Sequence, residues 1–196
     1  MDARQKAARY GLYDPRFEHD ACGVGFVCNI KGKRSHQIVQ QGLEVLNRLA
    51  HRGATGADPK TGDGAGILLQ MPHEFFVHAA AAAKISLPDE GMYGTGLIFL
   101  PAEFKEREFC KKTLEKIVVQ EGQVVLGWRT VPVDNSCIGR TARETEPVIE
   151  QIFIGSASSA KKSAPLDLES RLYVNRKKVE NLIRSSALKQ KSFFYI

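Results

Sequence analysis

The chain has 196 residues, a formal net charge of +6, 43% hydrophobic and 26% charged residues, the make-up of a globular protein with a real core rather than a disordered or fibrous one. No stretch approaches the roughly 18 consecutive apolar residues of a membrane-spanning helix, and the basic excess is interleaved with acids, which argues against a nucleic-acid face. The four cysteines, Cys22, Cys28, Cys110 and Cys137, form no CxxC pair, so neither a zinc knuckle nor a thioredoxin-type motif is supported and the chain reads as cytoplasmic, with reduced thiols.

Residues 1–21 are a polar leader without the apolar core of a secretion signal, so they are either a frayed arm or a segment to be cut away. Residues 24–30 alternate like a strand, and Lys31, Gly32 and Lys33 supply a turn after it. The period then changes: Val39, Leu43, Leu46 and Ala50 place an apolar stripe on a helix that starts at an N-cap, Ser35, and stops at Gly53. Residues 51–66 form a glycine- and aspartate-rich loop, and residues 67–71 read as a buried strand ended by Pro72.

A helix is expected over 78–84, a strand over 94–100, and an amphipathic helix over 101–119 with Phe104, Cys110, Leu114 and Ile117 or Val118 on or near one face. Further strands follow at 124–133 and 148–154. Residues 155–164 read as a polar linker and 166–186 as a basic helix. The ending, 191–196, is β-prone. This order implies a layered α/β or α+β domain.

Two constellations carry chemistry. Cys22 lies at the mouth of the first strand-like run, in Asp20-Ala21-Cys22-Gly23-Val24-Gly25-Phe26. If the leader were removed, its thiol would sit beside its own α-amine; a thiol titrates near ~8.5 and an α-amine near ~7.7–8.0, so the amine can take the thiol proton at neutral pH. The alternative is a buried structural cysteine. A metal site from Cys22, Cys28 and His19 fits no zinc spacing.

The second constellation is the loop carrying His51-Arg52-Gly53 and Thr61-Gly62-Asp63-Gly64-Ala65-Gly66. Its glycines allow a backbone to turn tightly or approach a ligand. It is neither a Walker loop nor a dinucleotide fingerprint, because no Gly-Lys-Ser/Thr follows and the next element is strand-like. Arg52 offers a planar fork for a carboxylate, or it caps the carbonyls of the preceding helix end.

Taken together, DACGVGFVCNIKG and LEVLNRLAHRGATGADPKTGDGAGILLQMP resemble the start of the glutamate synthase large subunit, its class II glutamine amidotransferase (glutaminase) domain. The resemblance continues through Leu126-Gly127-Trp128-Arg129-Thr130-Val131-Pro132-Val133-Asp134, Pro147 to Gln151, Leu172-Tyr173 and Ser192 to Ile196. It implies an α+β fold, the N-terminal nucleophile (Ntn) hydrolase α/β/β/α sandwich, with a propeptide at 1–21 and a partial amidotransferase domain at 22–196.

It further implies that Cys22 attacks L-glutamine, that Arg52 and Gly53 belong to the glutamine pocket or order its loop, and that Asp63 and Gly64 shape that loop. Trp128 and Arg129 are assigned to packing or a domain contact rather than to catalysis. Ammonia would pass to a synthase site with FMN and an iron–sulfur cluster, where it meets 2-oxoglutarate. No cofactor is expected in this chain itself. The partners implied are L-glutamine, the remainder of the large subunit and its small subunit, with no nucleic acid and no membrane.

The family domain is about twice this length. Its later substrate arginine, its Asn-Gly oxyanion pair and its acidic substrate clamp find no counterpart here. The resemblance therefore predicts only the first half of the sandwich, marginally stable and inactive alone. The other reading is a non-catalytic module that pairs with the missing half.

Overall fold

The computed structural model describes residues 23–50, 53, 58–62, 64–156 and 165–196, the last stretch with side chains from Leu168 onward. The chain divides into two compact units, Met1–Leu69 and Gln70–Ile196.

In the first unit, α1 (His36–Arg48) follows Ser35, whose extended backbone (φ −157°, ψ 146°) makes it the N-cap, although its side chain makes no capping hydrogen bond. The half-buried face of α1 is Ile38, Gly42, Val45 and Leu49, with Val39 and Leu46 beside it. The expected stripe is therefore rotated, leaving Leu43 exposed. The helix stops at Arg48, not at Gly53: the Leu49 N–H splits between the Val45 and Leu46 carbonyls, and Gly53 only closes the next turn by donating to the Ala50 carbonyl at 3.2 Å.

Neither strand expected in this region forms. Residues 24–30 and 67–71 have no ladder partner among the described residues, and a lone extended segment without a paired backbone is not a strand. Val24 and Phe26 are each 89% exposed and Leu68 fully so, which also overturns the expectation that 67–71 is buried. The turn does form, one residue early. Gly32 (φ 67°) donates to the Asn29 carbonyl at 2.9 Å, and the Asn29 side-chain oxygen accepts from the backbone of Lys31 and Lys33.

The second unit is built on a three-stranded antiparallel sheet of β1 (Tyr93–Leu100), β2 (Gln123–Thr130) and β3 (Val148–Ser156), in the order β1-β3-β2. The helix α3 (Phe104–Gln120) crosses from β1 to β2, leaving a gap that β3 fills. The remaining elements are α2 (His73–Ala82), the short α4 (Arg140–Glu144) and α5 (Pro165–Ser185). Residues 157–164 of the expected linker lie outside the described residues; Gly155 and Ser156 finish β3 instead.

Alternation along β3 divides the core. Ile152 and Ile154 face α3 and α5, packing with Ile98, Leu100, Cys110, Leu114, Val118, Val179 and Ile183. Phe153 faces the other way, onto Phe76, Ala80, Ile85 and Tyr93, with Phe76 edge-on to its ring at 5.6 Å. Phe104, expected on the buried face of α3, is exposed because it occupies the first turn, ahead of the apolar row.

The element ends are held by specific bonds. Glu103 caps α3 by accepting from the Glu106 N–H at 2.7 Å. After α2, Lys84 takes a left-handed conformation (φ 59°), and the Lys84 and Ile85 N–H groups return to the Ala81 and Ala80 carbonyls, a Schellman closure. The β-prone terminus is not a continuous strand. Lys191–Phe193 form a 3-10 turn, after which Tyr195 alone bridges β1, exchanging both backbone bonds with Phe99 at 2.8 and 3.1 Å.

Because Phe153 is fully buried in the cluster between α2 and the sheet, Phe153→Ala is expected to cost about 3–5 kcal/mol. Exposed Leu97→Ala on the same sheet should stay within about 1 kcal/mol. Urea unfolding followed by circular dichroism measures both.

Candidate functional site

Of the residues singled out from the sequence, Cys22, Arg52 and Asp63 lie outside the described residues. Gly23, Gly53, Gly62 and Gly64 beside them are described, and α1 contacts the segments that follow Cys22 and Asp63. A Cβ on Gly25, three residues after Cys22, would lie 2.6 Å from Val45 Cγ1; a Cβ on Gly42 would lie 2.9 Å from Ile67 Cδ1, four residues after Asp63. Gly42 and Val45 are three residues apart on the helix, about 4.5 Å along its axis. The segments that follow the cysteine motif and the glycine-rich motif are thus seated on one face of one helix, within a single turn.

Glycine is required at Gly25 by that approach, since real Cβ atoms do not come so close to a branched side chain. Gly53 and Gly64 show no such need: Gly53 has only the Ala50 oxygen at 3.5 Å, and Gly64 has open space around it. Their assigned role in the loop therefore rests on the resemblance and not on packing among the described residues.

Sequence reading missed Asp58. Its side chain accepts from the Lys60 N–H at 3.1 Å and from Thr61 Oγ1 at 3.0 Å, while its carbonyl takes the Thr61 N–H at 2.9 Å. This Asx-type turn orders the middle of the loop, and the signal was present as an aspartate three residues before a threonine. Beside α1, Val27, Gln41, Glu44, Val45 and Arg48 line an open depression of about 350 Å³. Arg48 donates to Glu44 at 2.6 Å on its rim, an exposed pair that contributes little stability.

The second unit supplies its own polar contacts. His73 Nδ1 and the Tyr93 hydroxyl share a hydrogen bond at 3.0 Å. Burial, helped by nearby Glu90, raises the Tyr93 phenol above its ordinary value, so it stays protonated beside the imidazole. Arg129 donates to the buried Gln151 at 3.0 Å and covers the Phe75 ring. Trp128 donates to Glu115 at 2.8 Å, with the Lys111 ammonium over its ring. Both residues of the Trp128-Arg129 pair make packing and hydrogen-bond contacts within the second unit.

Of the described cysteines, Cys28 and Cys137 are exposed and Cys110 is fully buried. Burial first, and the Glu106 carboxylate second, push the Cys110 thiol up to about 11, which disqualifies it as a nucleophile at neutral pH.

Residues 22–196 match the family of class-II glutamine amidotransferases, and the chain belongs to that family. It is 47% identical over 181 residues, 92% of this chain, to the glutamate synthase (NADPH) large chain of Bacillus subtilis (strain 168). It is 39% identical over 190 residues, 97% of this chain, to the chloroplastic ferredoxin-dependent glutamate synthase of Oryza sativa subsp. japonica. With the NADH glutamate synthase of Schizosaccharomyces pombe it shares 38% over 188 residues, 94% of this chain. The chain spans 12%, 12% and 9% of the lengths of these three relatives. Among the described residues, no helix is long and apolar enough to cross a membrane.

Two outcomes are expected. Gly25→Ala should destabilise the first unit by about 1–3 kcal/mol by displacing Val45, read as faster amide exchange along α1. Maleimide at neutral pH should label Cys28 and Cys137 in the native chain and reach Cys110 only after denaturation, as peptide mapping would show.

Proposed function

We propose that this chain carries the nucleophile half of a glutaminase that feeds ammonia to glutamate synthesis. The observation that carries this reading is that the family match begins at Cys22, the residue whose chemistry calls for a free amino group. Removal of residues 1–21 would place the α-amine beside the thiol. The amine takes the thiol proton, and the thiolate attacks the side-chain amide carbon of L-glutamine. The C–N bond breaks as the leaving nitrogen takes that proton, giving ammonia and a glutamyl thioester. Water then cleaves the C–S bond, releasing glutamate and restoring the thiol.

Arg52 and Gly53 belong, in this proposal, to the glutamine pocket or the loop that orders it, and Asp63 and Gly64 to the neighbouring loop. The guanidinium of Arg52 supplies charge and a hydrogen-bonding fork, not a proton. Support comes from α1, which seats the segments just after Cys22 and just after Asp63 within one turn of each other.

As a fold, the sheet of the second unit carries α3 and α5 on one face and the short α2 on the other, and we assign it to one α/β half of an Ntn α/β/β/α sandwich. FMN and an iron–sulfur cluster belong to a synthase region of a longer enzyme. The described residues do not fit a cluster: no three His, Cys, Asp or Glu side chains converge among them. The 2-oxoglutarate step and the partners of the reading, the rest of a large subunit and a small subunit, belong to that longer enzyme, in the cytoplasm.

The test uses an enzyme that contains this sequence within a full-length glutamate synthase. Cys22→Ala is expected to abolish ammonia release from glutamine while leaving glutamate formation from added ammonia in place. Equal loss of both activities, or retained glutaminase, would overturn the reading.

A further inference from the structure

The inward face of α5 is one row of side chains, Leu168, Leu172, Asn175, Val179 and Ile183, at spacings of four, three, four and four. All but Asn175 are aliphatic. Leu172, Val179 and Ile183 pack on Ile98, Leu114, Val118, Ile152 and Ile154, which are aliphatic too. Contacts of this kind are non-directional, so a helix can slide along them by one place in the row, about one turn or 5.4 Å, and meet the same kind of surface. Asn175 is the exception. It is 2% exposed, and its side-chain amide donates to Oε1 of Gln123 at the start of β2, itself 4% exposed.

The pair is poorly satisfied. Gln123 Nε2 and Asn175 Oδ1 have no hydrogen-bond partner among the described residues, and an unpartnered polar atom inside a core costs stability. Two apolar side chains of similar volume would fill the same space and spare both atoms. What the pair supplies is position. If every residue advanced one place along the row, Leu168 would lie over Gly94, where Leu172 now sits so close that a Cβ on the glycine would run into it. Leu172 would then lie opposite Gln123, and only Asn175 would suffer, entering the aliphatic seat of Val179 without a partner. The other links from α5 to its neighbours discriminate less. Arg171 on the Glu121 carbonyl, Lys178 on the Glu121 carboxylate and Arg176 on the Tyr195 hydroxyl are bonds of long surface side chains that can re-form after a slip. Glu180 is buried but is held by Arg176 and Lys177 of its own helix, so it moves with α5.

We propose that the Gln123–Asn175 amide pair is a register lock: it sets the axial position of α5 on the sheet, and it does so at a net cost in stability. A single buried polar contact in an otherwise apolar seam fixes alignment because every other alignment strands its members in the core.

Methyl and amide NMR on the full 196-residue chain, with urea unfolding alongside, tests this. The native chain should give one set of resonances, with nuclear Overhauser contacts to Gly94 from the methyls of Leu172 and not from those of Leu168. Asn175→Leu and Gln123→Met alone each strand one buried amide and should lower the urea midpoint. Combined, they should return the midpoint to the native value or above it. In that double variant the Leu172 and Gly94 resonances should split into two sets, and contacts from Leu168 to Gly94 should appear. The exchanged pair, Gln123→Asn with Asn175→Gln, keeps two amides facing each other and should show a single set. A double apolar variant with one set of resonances and the Leu172 contact alone would overturn the lock, since aliphatic packing would then suffice. A double variant less stable than either single one, or unfolded, would overturn it too, since the pair would then be a net stabilising contact.

Discussion

Strand β3 is the constraint on which the second unit depends. It is hydrogen-bonded on both sides, to β1 and to β2, and its two-residue period sends Ile152 and Ile154 to one core and Phe153 to the other. A one-residue slip would exchange the two sets, burying a phenylalanine under α3 and α5 and presenting isoleucines to α2. The bulge between Val125 and Gly127 in β2 is tolerated because it adjusts the outer strand and leaves β3 regular. It sets Gly127 against Ile85, where a Cβ would lie 2.6 Å from Ile85 Cγ1.

Around that sheet the charged groups act mainly as fasteners. Glu106 accepts from the backbone of Lys189 and Gln190 at 2.9 and 2.8 Å, tying the last residues to α3. Glu180 is buried, which alone would raise its carboxyl. Hydrogen bonds from Arg176 and Lys177 outweigh that and hold it below the ordinary glutamate value. A carboxyl lowered in the folded state stabilises above its unfolded pKa, and that contribution disappears as pH falls through the lower folded value. The same Arg176 reaches the Tyr195 hydroxyl, so acidification loosens the network around the residue that bridges to β1.

Legibility followed the presence of a sheet partner. The strands β1, β2 and β3 and the helices α3 and α5 were readable because Ile98, Leu114, Phe153 and Val179 sit in periodic runs that a core rewards, and their ends moved by only a few residues. The runs at 24–30 and 67–71 look equally strand-like, yet Phe26 and Leu68 are exposed. Apolar alternation states what a segment prefers, and only a neighbouring backbone makes it a strand. The antiparallel insertion of β3 between β1 and β2 is a long-range property that no local pattern encodes.

At the candidate site, the chemistry of Cys22 left a nucleophile and a buried structural cysteine both open, and only the resemblance carried by the surrounding motifs favoured the nucleophile. The Asp58 turn had a sequence signal that went unread, whereas the close approach of Gly25 to Val45 came only from geometry, because a glycine in sequence does not say which side chain it must let past. The central claim is that Cys22 works with its own amine, which demands that the bond before it be cut. Intact-mass measurement of the purified protein tests this most directly. A mass lower by that of residues 1–21 is the expected result. A mass that retains them in a protein still releasing ammonia from glutamine would contradict the account, since Cys22 would then lie inside a peptide bond without its base.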